Sequence, residues 1–133
     1  MPGSPTPILG LPVPTVGGDN NTWGTELNAG LAIIDNLGAA TVFNQNANFT
    51  AAVSVFPEVI YRVTTGGSMI TATLPAPATC PGKIFTVKKI DAGIGQVVVS
   101  GAIDGAANWT IGTQWGYVRV SSNGATYDVI GNN

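Results

Sequence analysis

The chain has no histidine, a single cysteine and very little charge: of its 133 residues, five are Lys or Arg and seven are Asp or Glu. Without histidine, neither a Ser-His-Asp nor a Cys-His catalytic arrangement can be assembled, and the common zinc ligand sets are out of reach. The lone Cys80 excludes an intrachain disulfide; between Thr79 and Pro81, with no base or metal ligand beside it, it reads as an inert loop thiol. Five scattered cations do not form the dense basic stripe that a phosphate backbone requires, so nucleic acid is not an expected partner. No stretch approaches the ~18 consecutive apolar residues of a membrane span, and "MPGSPTPILG" lacks the basic and apolar regions of a secretion signal. The expectation is a soluble protein made in the cytoplasm, with no membrane insertion, no metal and no cofactor.

The shortage of charge has a further consequence. With 44% hydrophobic and only 9% charged residues, a lone monomer has little polar surface to present. Another copy of the same chain is the expected cover, since small subunits usually hide apolar faces in symmetric homo-oligomers. The charge is also uneven. Residues 1–61 carry Asp19, Glu26, Asp35 and Glu58 and no cation, whereas Arg62, Lys83, Lys88, Lys89 and Arg119 all fall in the remainder.

Catalytic carboxylates are scarce for the same reason. Asp91, Asp104 and Asp128 are the acidic residues of the C-terminal half, and each has a plain structural role: Asp91 opens the "DAGIG" loop, Asp104 precedes Gly105 in a turn, and Asp128 alternates outward in a strand. No enzyme is expected.

What the chain does contain divides into three parts. Residues 1–20 hold Pro2, Pro5, Pro7, Pro12 and Pro14, which fix an extended backbone, and Ile8, Leu9, Leu11 and Val13 make it more apolar than a solvated linker needs. Residues 21–38 read as a short helix: Asn21 or Thr22 can cap it, Glu26 suits its first turn and Gly38 can end it. Trp23, Leu27, Leu31, Ile34 and Leu37 recur at helical spacing and form one apolar stripe. Two arrangements satisfy that stripe, packing on the chain's own domain or pairing with copies of itself in a short bundle.

Residues 39–133 change to a period of two. "TVFNQNANFTAAVSVF", "EVIYRVTT", "GGSMITATLP", "GKIFTVKKI", "GQVVVSG", "NWTIGT", "GYVRVSS" and "ATYDVIG" read as short strands, punctuated by Gly66-Gly67, Pro81-Gly82, Asp104-Gly105 and Asn123-Gly124. Asn123-Gly124 is the clearest hairpin signal, and Lys88-Lys89 reads as a solvated strand end. The fold class this predicts is mainly β, an antiparallel sandwich or barrel preceded by an extended arm and one helix. Trp109, Trp115 and Tyr117 lie close in sequence; flat rings among polar neighbours suit contact with a glycan, and suit a core or subunit interface equally.

Two stretches carry a resemblance. Thr73-Leu74-Pro75, Pro81-Gly82-Lys83, Lys88-Lys89, Ile103-Asp104-Gly105 and Asn123-Gly124, within residues 73–130, resemble a β module found at the ends of tailed-bacteriophage fibres and spikes. "LGLPVPTVGGDNNTWGTELNAGLAIID" is similar to the segment that opens many phage fibre and appendage proteins. The resemblance implies a homotrimer with its threefold axis along a fibre, located in the virion. It implies an N-terminus that joins other virion proteins, capsid or tail, and a distal β head. On that reading Ile8, Leu9, Leu11 and Val13 serve virion attachment, and the stripe from Trp23 to Leu37 packs the trimer. The family's long fibres separate these two ends by hundreds of residues, whereas here they are nearly adjacent, which suits a head fibre or capsid decoration as well as a short tail fibre. The rival class is a host-receptor adhesion module whose aromatic residues stack on host-surface sugars.

Overall fold

The computed structural model describes residues 23–35, 38 and 40–133. The arm residues Ile8, Leu9, Leu11 and Val13, the capping candidates Asn21 and Thr22, and Leu37 lie outside them. By its internal contacts the chain divides into two units, Met1–Ala39 and Ala40–Asn133.

In the first unit, α1 spans Trp23–Asp35. Glu26 occupies its first turn, where the dipole favours an anion. Gly24 and Gly30 each weaken it by about 1 kcal/mol relative to Ala. Leu27, Leu31 and Ile34 fall on one face and are 50%, 49% and 47% exposed within the single chain. Among the described residues no helix is long and apolar enough to cross a membrane.

The second unit is β throughout: β1 (Ala40–Gln45), β2 (Phe49–Thr50), β3 (Glu58–Val63), β4 (Ile70–Thr73), β5 (Ile84–Lys89), β6 (Val97–Ile103), β7 (Ala106–Ile111), β8 (Tyr117–Ser122) and β9 (Tyr127–Asn132), with one 3-10 turn at Pro77–Thr79. The strands form a nearly closed, barrel-like sheet in the order β1-β3-β5-β8-β9-β6-β4-β2, and β7 pairs with β6 off this path. The protein is therefore mainly β with one short helix.

The strand directions differ from the antiparallel expectation. Five pairings are parallel, β1/β3, β3/β5, β2/β4, β4/β6 and β6/β9, and three are antiparallel, β5/β8, β6/β7 and β8/β9. The reason lies in the connections. From β1 to β6 each strand hands over to the opposite half of the sheet instead of reversing beside itself, so β1, β3 and β5 stack in parallel on one half and β2, β4 and β6 on the other. Each pair of strands is thus one winding. β8 and β9 then bridge the two halves, with β9 joined to β6 through a single bridge, Ile103 to Tyr127.

Alternation puts one face of every strand inside. Val59, Tyr61 and Val63 of β3, Phe85 and Val87 of β5, and Val118 and Val120 of β8 meet Ile70 and Ala72 of β4 and Val97 and Val99 of β6 in one buried cluster. Each fully buried Val, Ile or Phe contributes roughly 1.5–3 kcal/mol, so this cluster supplies most of the fold's stability. The β2 ring of Phe49 closes on Tyr61 of the other half at 4.7 Å. Tyr127 is buried beneath β9, its hydroxyl donating to Pro75 O at 2.8 Å and lying 3.2 Å from Cys80 Sγ. Burial, and secondly the Cys80 contact, raise the Tyr127 pKa far above that of a free phenol.

Candidate functional site

The outer face of β1, β3, β5 and β8 carries a row of side chains set by register. Asn44 aligns with Arg62, Arg62 with Lys88, and Lys88 with Tyr117. Their chain neighbours Tyr61, Val63, Val87, Lys89 and Val118 are buried, so the pleat turns this row outward. Three strand spacings make it about 14 Å long. Arg62 Nη1 donates to Asn44 Oδ1 at 3.5 Å, and the Tyr117 ring lies across Gly131 of β9, 3.6 Å from where a Cβ would stand. A shallow groove of about 300 Å³ lined by Asn44, Gln45, Asn46 and Thr64 adjoins the Asn44 end.

Trp115 completes the row. Its φ is +66°, in the left-handed region that a bulky residue rarely occupies, and its side chain is 52% exposed. Lys88 Nζ sits 5.7 Å from the ring centre, within cation–π range. The backbone around it is pinned to β5. Trp115 N–H donates to Lys89 O at 2.8 Å, Lys89 N–H to Gly116 O at 2.9 Å, and Gly116 N–H to Thr113 O at 3.1 Å. At Gly116 a Cβ would stand 2.7 Å from Ile111 Cγ2, so the tight turn that presents Trp115 requires glycine there.

The same Lys89 anchors the turn from below. Contrary to the solvated strand end expected from sequence, its side chain is fully buried and donates to Asp91 O at 2.6 Å, Gly93 O at 2.8 Å and Asp91 Oδ1 at 3.1 Å. All three ammonium donors are used. Asp91 in turn accepts from Thr65 N–H at 3.0 Å, Gly66 N–H at 2.9 Å and Gly93 N–H at 3.2 Å. These bonds, the Thr65 backbone bond first, hold its carboxyl well below the usual carboxylate range. The loop is closely seated as well: a Cβ on Gly93 would collide with the Gly66 carbonyl oxygen, and one on Gly95 with that of Ser68.

Beside the row on the same face, Arg119 Nε and Nη2 grip Glu58 Oε1 and Oε2, both at 3.0 Å, while Thr86 Oγ1 donates to Oε1 at 2.8 Å. The guanidinium lowers the Glu58 pKa, and the carboxylate raises that of Arg119.

The structure places the expected site residues as follows. Trp115 and Tyr117 belong to the outer row. Trp109, on β7 opposite Val99, packs partly buried against the core and is not part of it. Leu27, Leu31 and Ile34 share the exposed stripe of α1, and Trp23 is the first residue of that helix, its side chain outside the described part. Asn44, Arg62 and Lys88 were not read as site residues, because their alignment rests on parallel pairing across two windings. Of the residues that carry the fibre-like resemblance, Lys88 belongs to the outer row, whereas several others are scaffold: Gly82, Asp104, Gly105 and Gly124 take positive φ in turns, Leu74 is buried, and Lys83 Nζ donates to Val55 O and Phe56 O at 3.3 and 3.2 Å. Among the described residues no three of His, Cys, Asp and Glu converge to hold a metal.

In comparisons with known proteins, the chain matches no family model, no curated protein and no solved structure.

Proposed function

We propose that the protein is a non-enzymatic structural component of a bacteriophage particle: a short homotrimeric fibre, on the capsid as a head fibre or decoration, or within a short tail fibre. Its N-terminal region anchors it to other virion proteins, and its β unit faces outward. The observation that carries this reading is the stripe of Leu27, Leu31 and Ile34, about half exposed within one chain. A weak 13-residue helix with such a stripe is stable only against a partner, and three copies closing around an axis supply one. Burying the exposed half of each side chain is worth roughly 1 kcal/mol apiece. The two fibre-like stretches, in that order along one chain, support the same assignment. An extended arm that gains backbone hydrogen bonds and apolar contacts on a host surface, repeated three times, converts weak single contacts into firm attachment.

Light scattering on the full chain at micromolar concentration is expected to give the mass of a trimer, and Leu31→Asp to dissociate it while the β unit keeps its circular dichroism. A monomeric wild-type protein would refute the trimer. Deleting residues 1–20 should leave a folded oligomer that no longer joins its particle, and normal incorporation of that truncated chain would remove the attachment role. A second reading, host-surface glycan adhesion, is favoured by one observation, the exposed Trp115.

A further inference from the structure

We propose that the outer row formed by Arg62, Lys88, Trp115 and Tyr117 is a binding site for an acidic oligosaccharide, one bearing carboxylate or sulfate groups. This names the ligand class of the glycan reading and rests on it. The site is complete within a single chain, so it stands or falls independently of the trimeric fibre.

The first support is the way Trp115 is held. Its left-handed backbone is costly for a large side chain, and such strain persists where surrounding structure enforces it. Core packing does not account for it, since the residue is 52% exposed and lies outside the buried cluster. Backbone bonds to Lys89 on both sides of the turn fix it in place, and Lys89 is itself clamped by Asp91 and Gly93. An exposed indole is therefore displayed on a rigid mount, as a preorganised binding group should be.

The second is the distribution of the five cations. Arg119 is committed to Glu58, Lys89 to Asp91, and Lys83 to two carbonyl oxygens. Only Arg62 and Lys88 have no ion pair among the described residues and no backbone acceptor, and register places them on adjacent strands. Two uncompensated cations side by side, in a chain whose net charge is −2, complement an anionic ligand.

The third is the character of the surroundings. The row is about 14 Å long, with Asn44, Gln45, Asn46 and Thr64 along the groove at one end and the Tyr117 ring at the other. Amide and hydroxyl groups match sugar hydroxyls, and the negative face of an aromatic ring attracts the polarised C–H bonds of a pyranose. Two free cations fall well short of the roughly six to ten phosphate contacts of a nucleic-acid site.

Calorimetric titration of the full chain at low ionic strength tests this. The probes are a tetrameric oligogalacturonate, a heparin-derived tetrasaccharide, maltotetraose as the neutral control and tetraglutamate as the acidic peptide control. At least one acidic saccharide is expected to bind about tenfold or more tightly than maltotetraose and tetraglutamate, with affinity falling as salt is added. Trp115→Asn, a residue that tolerates positive φ, and the double variant Arg62→Gln/Lys88→Gln should each weaken that binding about tenfold or more with unchanged circular dichroism, while Lys83→Gln leaves it unaltered. Failure of both acidic saccharides to bind, equal binding of maltotetraose, equal binding of tetraglutamate, or full affinity in folded Trp115→Asn would each overturn the proposal.

Discussion

Lys89 and Asp91 show how two residues can fix a surface they do not reach. The ammonium is sealed from water and Asp91 is its one ion-pair partner among the described residues, so removing the Asp91 charge leaves it held by carbonyl oxygens alone and under-compensated. Asp91→Asn is expected to cost on the order of 3 kcal/mol, read as a lowered urea midpoint. The Asp91 pKa is depressed in the folded protein, so its contribution is fully present above the ordinary value of 3.8 and is lost as pH falls below that toward the folded value. Acid should therefore steepen the loss of stability of the wild type below about pH 4, and the Asp91→Asn variant should lack that component. At Trp115 two effects oppose each other. Trp115→Gly relieves a left-handed backbone but gives up the buried half of the ring, so it should lower stability by no more than about 1–2 kcal/mol in thermal unfolding, less than the same loss of burial would cost at an unstrained position. Neither feature was legible in the sequence. Alternation shows that one of two adjacent lysines must face inward, but a buried lysine needs acceptors, and those come from the course of the 91–95 loop. A positive φ at tryptophan leaves no mark in sequence beyond the glycine that follows.

Strands were legible as elements, and their partners were not. Phe85 and Val87 of β5 face the core as the alternation in "GKIFTVKKI" indicates, and eight apolar-polar segments correspond to β1 through β9, with β1 and β2 sharing one segment. A period of two is the same in parallel and antiparallel sheets, so the pattern cannot say which way a neighbour runs. Turn chemistry settled the antiparallel hairpins only. Asp104 and Gly105 both take positive φ between the paired residues Ile103 and Ala106, the two-residue geometry that this dipeptide favours. Gly105→Ala should cost about 1–2 kcal/mol by chemical denaturation, since an alanine is strained at φ +82°. At Asn123-Gly124 only the glycine is left-handed. Asn123 works through its side chain instead, Oδ1 accepting from Ala125 N–H and Thr126 N–H, both at 2.9 Å.

At the scale of the whole molecule, mainly β composition, one helix and a barrel-like sheet follow from composition and period, whereas the winding does not. Strands adjacent in the β1-β3-β5 half are separated in sequence by a full winding, so loop-closure entropy opposes their pairing until the opposite half is also in place. Refolding of residues 40–133, followed by tryptophan fluorescence, is expected in the millisecond-to-second range typical of such non-local topologies rather than in microseconds. The same fragment should unfold in one cooperative transition with the thermal midpoint of the β signal of the full chain, because its core is drawn from Ala51 through Tyr127.

The bridging strands have one more effect. β8 and β9 seal the stack beyond β5 and β6, while β1 and β2 stand at the two ends of the strand order, each with one edge unpaired among the described residues. Like thread on a spool with one flange, the wall can be wound taller at its first turn without disturbing the sealed end. The number of turns then acts as a ruler for the height of the β unit, leaving the row around Trp115 at a fixed distance from the flange.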